Sequence, residues 1–202
     1  MTKVFTLTDL FELPIDDHST DYYEILGGRL VVLSAPDEPH SSVVIELLEM
    51  LLAARRAGYG DVRTAPRAVA LDFEQRGMQS EDVPQPDIFF VRRGRVAILR
   101  DRAVHGVPDL VIEILSRSTR RKDRPGGEKW RAYERNKAPY YWIVDTTART
   151  ISQYEFHDGV LRETARLQPG DVLSCPLFPD ISREVGSLFT AIGDDASPYP
   201  NG

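Results

Sequence analysis

The sequence predicts an α+β fold, with a mixed β-sheet at its core and helices on the sheet faces. Three observations lead there. The first is Pro108 to Leu115, a short run of β-branched and aliphatic residues opened by proline, which reads as a buried strand. The second is an amphipathic pattern in which Val43, Leu47 and Leu51 form one i, i+4 ladder and Val44, Leu48 and Leu52 the adjacent one. The third is the order of elements: a hairpin, a helix, several strands, a second helix, then strands again. No repeat, low-complexity tract or long linker divides the chain. Residues 1–192 are therefore expected to form one domain, and residues 193–202 a disordered tail.

In order, residues 5–12 suggest a short helix or turn, ended by Pro14. Tyr22 to Leu26 and Arg29 to Leu33 flank Gly27-Gly28, the signature of a hairpin, because glycine supplies positive φ without steric cost. Pro36 to Pro39 reads as a loop, with Ser41 or Ser42 as N-cap of the Leu-rich helix and Gly58 as its stop. His40 stands at the helix entrance, where a cap-region hydrogen bond is the common fate of a histidine. From Asp61 to Phe73 the pattern gives one strand or two short ones, and Gln75 to Pro84 a polar loop. Pro86-Asp87 opens a further apolar strand, Ile88 to Val91. Residues 126–137 read as a helix ended before Pro139, with Lys129 and Tyr133 on one face. Tyr140 to Asp145 and Thr150 to Phe156 form a strand pair, followed by an Asp158-Gly159 turn and Val160 to Arg162. Leu173 to Phe178 is an extended piece and Val185 to Ile192 a short terminal helix.

Composition narrows the function. The 202 residues, 42% hydrophobic and 28% charged, suit a soluble globular protein with a real core. A single cysteine, Cys175, excludes an internal disulfide framework and a cysteine-based zinc cluster, and suits the cytoplasm. The N-terminus lacks a signal-peptide apolar region, and no run reaches membrane-spanning length, so no membrane association is expected. A formal net charge of −6 offers nucleic acid no global attraction, so any DNA or RNA contact requires a local basic patch. Five of the nine residues from Ser116 to Arg124 are basic, which suits phosphate contacts or, equally, a solvated loop.

The chemistry gathers on two carboxylates. In the strand at Pro108–Leu115, alternation puts Asp109, Val111, Glu113 and Leu115 on one face and Leu110, Ile112 and Ile114 on the other. A glutamate in such a strand is costly unless paired, hydrogen-bonded or metal-bound. Either a nearby arginine or backbone amide satisfies Glu113, or it is a site carboxylate. If the Asp87 and Glu113 strands pair, both carboxylates enter one site. Two hard oxygen ligands with water suit Mg²⁺ or Mn²⁺. Lys129 is placed to stabilise charge on a phosphate. Glu24 reads as a solvent-facing residue or a cross-strand partner of Arg29.

Several separated motifs, in order over roughly residues 8–190, resemble the Uma2 family of restriction-endonuclease-like proteins, placed in the PD-(D/E)XK nuclease superfamily. They are Tyr23-Glu24-Ile25-Leu26-Gly27-Gly28, His40, Pro86-Asp87, Asp109 to Ser116, Ser118-Thr119, Glu128-Lys129, Tyr133, Tyr141 to Asp145 and Leu173 to Phe178. The resemblance implies a restriction-endonuclease-like mixed sheet flanked by helices, with a divalent-metal site. It puts the superfamily's first aspartate on Asp87 and its second acidic residue on Glu113. Leu115 stands where a lysine usually follows. The resemblance gives that role to Lys129 on the next helix, with Lys122 as the weaker substitute, and makes Glu24 an additional metal-site acid.

The resulting expectation is a Mg²⁺- or Mn²⁺-dependent endonuclease acting on DNA. Asp87 and Glu113 (with Glu24) would hold the metal, Lys129 would contact the scissile phosphate or water, and Arg120, Arg121, Lys122 and Arg124 would hold the backbone. A homodimer is a further expectation, since enzymes that cut both strands often act in pairs. The alternatives are an inert nuclease-fold protein binding nucleic acid or a protein partner, and a structural network in which arginines satisfy Asp87 and Glu113. Trp130, Tyr140, Tyr141 and Trp142 suit a core or an interface.

Overall fold

A computed structural model describes residues 3–13, 22–33, 37–115 and 124–190. Residues 193–202 and the basic run up to Asp123 lie outside the described residues. The chain opens with α1 (Leu7–Glu12), the hairpin β1 (Tyr22–Leu26) and β2 (Arg29–Leu33), and α2 (Glu38–Arg56). Then come β3 (Gly60–Thr64), β4 (Val69–Ala70), α3 (Phe73–Arg76), β5 (Ile88–Arg92), β6 (Val104–His105) and β7 (Leu110–Leu115). The last part holds α4 (Glu128–Arg135), β8 (Tyr140–Asp145), β9 (Thr150–His157), β10 (Val160–Leu167), β11 (Val172–Ser174) and β12 (Ser182–Glu184).

The core is a six-stranded mixed sheet in the order β10-β9-β8-β7-β5-β3. Its neighbours pair antiparallel except β7 and β8, which run parallel. A parallel pair needs a crossover, and α4 lies within that connection. The expected two faces of β7 are present. Leu110, Ile112 and Ile114 pack with Val43, Leu47 and Leu51 of α2. Val111 and Leu115 pack with Trp130 and Tyr133 of α4. The aromatics belong mainly to the core: Trp130 meets Tyr141 and Tyr154 edge-on, with ring centroids 5.6 and 4.7 Å apart. Tyr140 is half-buried.

Three expectations are corrected. The helix α2 begins at Glu38, and Asp37 caps it by accepting from His40 N–H at 3.1 Å, in place of Ser41 or Ser42. Pro39 fits the first turn because its missing N–H would have had no helical partner there. The polar stretch after Leu71 contains α3 and a 3-10 turn at Gly77–Gln79. The terminal helix is a 3-10 segment, Val185–Phe189, which packs against the α2 side of the sheet. Arg183 ties the same region to α2, donating to the Glu46 carbonyl at 2.9 Å and to Glu49 Oε2 at 3.1 Å.

Candidate active site

The site begins with Glu113, fully buried in a strand whose six residues are all buried. Alternation turns it towards α4, where Lys129 and Tyr133 lie one helical turn apart on the same face. Lys129 Nζ donates to Glu113 Oε2 at 2.8 Å, and the Tyr133 hydroxyl donates to Oε1 at 2.8 Å. The Glu113 carboxylate is thus satisfied by a lysine and a phenol. Among the described residues, two arginines pair with Asp109 at the start of the strand: Arg92 Nε lies at 2.7 Å and Arg95 Nη1 at 2.9 Å from Asp109 Oδ1.

Glu24 arrives from the β1–β2 hairpin and is also fully buried. Its Oε1 lies 2.9 Å from Lys129 Nζ and accepts the Gln85 N–H at 2.7 Å. Both sequence-based alternatives for Glu24 fail: it faces inward opposite Val31, and Arg29 pairs with Glu128. Ile25 exchanges backbone hydrogen bonds with Val83, which ties the hairpin to the segment leading to Gln85. Gln85 adds a second tie through its side-chain amide, which donates to the Tyr23 carbonyl at 2.8 Å.

Asp87 immediately precedes β5. Ile88 lies opposite Ile112 in the antiparallel register, which brings Asp87 level with Glu113. Asp87 Oδ2 accepts from Ile114 N–H at 2.7 Å, and Oδ1 lies 3.0 Å from His40 Nε2. The structure thus brings Glu24, Glu113 and Lys129 together, with Asp87 level with Glu113 on the neighbouring strand. Arg124 lies at the same end of the sheet, its Nη2 3.3 Å from Asp145 Oδ2 and half exposed. Arg120, Arg121 and Lys122 fall outside the described residues.

Electrostatics distinguish the groups. Glu24 and Glu113 share one ammonium in a buried setting. Burial is the largest influence on His40 and acts to lower its pKa. The hydrogen bond to Asp87 and the charges of Asp87 and Asp37 outweigh it, so the net shift is upward. Burial first, then the Glu113 charge, pushes the Tyr133 hydroxyl well above 10. Tyr133 is therefore a fixed donor and not an acid at neutral pH.

Two contributors were less legible. His40 was read as a cap-region residue, yet its ring reaches Asp87. Its spacing to Val43, Leu47 and Leu51 puts it on the buried side of α2, a signal present in the sequence. Gln85 carries no comparable signal. A cleft of about 880 Å³ lies elsewhere, bordered by Arg95 and Val107 near the start of β7 and by Arg135 and Asp82. Arg135 there pairs with Asp82 at 2.6 Å.

The donor set suits a hard divalent ion. Among the described residues, no group of three or more His, Cys, Asp or Glu side chains is arranged to hold a metal. Mg²⁺ does not require such a cage: one or two carboxylates with water and substrate phosphate suffice. Asp87 and Glu113 offer two. Glu24 Oε2 is a buried oxygen without a hydrogen-bond partner, which also suits a cation or water. Oxygen donors favour Mg²⁺ or Mn²⁺ over zinc.

Comparisons with known proteins agree with this architecture. No curated protein matches the chain. A crystal structure from Anabaena variabilis, described as "a putative nuclease belonging to DUF820", is similar with a TM-score of 0.68 and 16% identity. The likeness covers 92% of this chain and 98% of that one. Among the described residues, no helix is long and apolar enough to cross a membrane. The sequence model of the Uma2 family, described as "Putative restriction endonuclease", matches residues 7–186, and the chain belongs to that family.

Proposed function

We propose that this protein is a metal-dependent endonuclease that hydrolyses phosphodiester bonds in DNA. The observation that carries the reading is the meeting of Glu24, Glu113 and Lys129 inside the core, with Asp87 level with Glu113 on the next strand. A protein core does not tolerate such a group without compensation, and sites are where the compensation is kept. Asp87 and Glu113, with Glu24 beside them, would hold Mg²⁺ or Mn²⁺. The bound ion supplies a Lewis acid for a phosphoryl oxygen and lowers the pKa of water.

The chain's own residues do the rest. Glu24 and Glu113 fix the Lys129 ammonium, which stabilises charge developing on the scissile phosphate. Tyr133 holds Glu113 by donating to its second oxygen. Arg124, with Arg120, Arg121 and Lys122, binds neighbouring phosphates and sets the strand's position. A second copy of the chain would supply the second cut on a duplex. One observation favours an inert binding protein instead: both Glu113 oxygens are already engaged within the chain.

Supercoiled plasmid, single-stranded DNA and RNA incubated with Mg²⁺, Mn²⁺ or EDTA separate these readings. Nicking or linearisation that appears with metal and disappears with EDTA is the expected result. No cleavage of any substrate would leave the binding reading.

A further inference from the structure

We infer that His40 is a positioning residue that fixes the Asp87 carboxylate for cation binding; the inference rests on the metal site proposed above. His40 lies in the first turn of α2, with its side chain 9% exposed. Its Nε2 is 3.0 Å from Asp87 Oδ1. A carboxylate only accepts, so Nε2 carries the proton. The other carboxylate oxygen is held by Ile114 N–H at 2.7 Å. Asp87 is therefore clamped from two directions, by a helix on one side and by β7 on the other. Each clamp leaves further lone pairs on the oxygens for a cation.

A tie between helix and sheet alone would not need this side chain. His40 Nδ1 is buried and has no hydrogen-bond partner, a cost that a purely structural link has no reason to carry. Imidazole supplies a directional donor that can be neutral. Carboxylates at metal sites are commonly held by such outer partners, and losing one typically weakens metal binding about 10–100-fold.

The test is Mn²⁺ titration by calorimetry on the full chain, with thermal melts run in EDTA. The variants are His40→Ala, His40→Gln and Asp87→Asn. Gln keeps an N–H donor near the place of Nε2. The expected result is binding lost in Asp87→Asn, about 10–100-fold weaker in His40→Ala and largely restored in His40→Gln. Wild-type affinity in His40→Ala, with binding lost in Asp87→Asn, would overturn the assignment and leave the metal site standing. A lowered melting temperature in His40→Ala with unchanged Mn²⁺ affinity would reduce His40 to a structural tie. Unchanged affinity in Asp87→Asn would remove both the assignment and the metal site beneath it.

Discussion

Lys129 serves two buried glutamates at once, and the charge count decides which single change costs more. Lys129→Met removes the ammonium that Glu24 and Glu113 share. The expected loss is about 3–5 kcal/mol, the usual range when a buried pair is broken. Glu113→Gln leaves a matched Lys129–Glu24 pair, and the amide oxygen still accepts from Lys129 or Tyr133. Its loss should be smaller, about 1–2 kcal/mol. Urea denaturation in EDTA measures both, and equal losses would contradict this charge count. Cys175 gives a second prediction at this scale. Burial raises its thiol to about 12, so folding favours the neutral form. Its contribution is full below the ordinary thiol value near 9 and declines as pH rises towards 12. At pH 8 the native protein should react with a disulfide reagent only as fast as it unfolds. Rapid labelling without denaturant would place the thiol at the surface.

At the scale of elements, the hairpin delivers Glu24 and the start of α2 delivers His40. Gly27 and Gly28 have φ of +57° and +72°, and a Cβ on Gly28 would sit 2.6 Å from Val4 Cγ1. Gly28→Ala should therefore destabilise by about 1–2 kcal/mol, the cost of forcing a left-handed backbone, with the clash added. Denaturant midpoints check this. Strands and their faces were legible because the alternation in β7 is unbroken and both faces are buried. The start of α2 was misread because Pro39 looks like a breaker until it is placed in the first turn. Beyond Arg162, β10 carries exposed charge and loses its alternation, so its length was not readable. Residues 72–82 have no helical period because Asp72 organises them, accepting from Glu81 N–H at 3.1 Å. Such ties, with the backbone bonds from Leu7 to Ser80 and from Gly28 to Glu81, leave no pattern in the sequence.

At the scale of the molecule, the carboxylates were legible for a physical reason: Asp87 and Glu113 interrupt runs that otherwise exclude charge. Glu24 was legible only through the family resemblance, since its partners Gln85 and Lys129 lie far along the chain. Lys129 followed from its helix and from the family resemblance together. With a net charge of −6, the proposed contact with DNA falls to the basic segment. Replacing Arg120, Arg121 and Arg124 by Gln should weaken DNA binding uniformly across sequences. It should also flatten the salt dependence, by about 0.9 in slope per phosphate contact removed. An unchanged slope would move the DNA surface elsewhere.

The most direct test of the site is plasmid nicking in Mn²⁺ by wild type, Asp87→Asn and Lys129→Met, each first shown to be folded by near-ultraviolet circular dichroism. The account predicts cutting by wild type and none above background by either folded variant. Undiminished cutting by folded Asp87→Asn would contradict the account and place the chemistry outside this group of side chains.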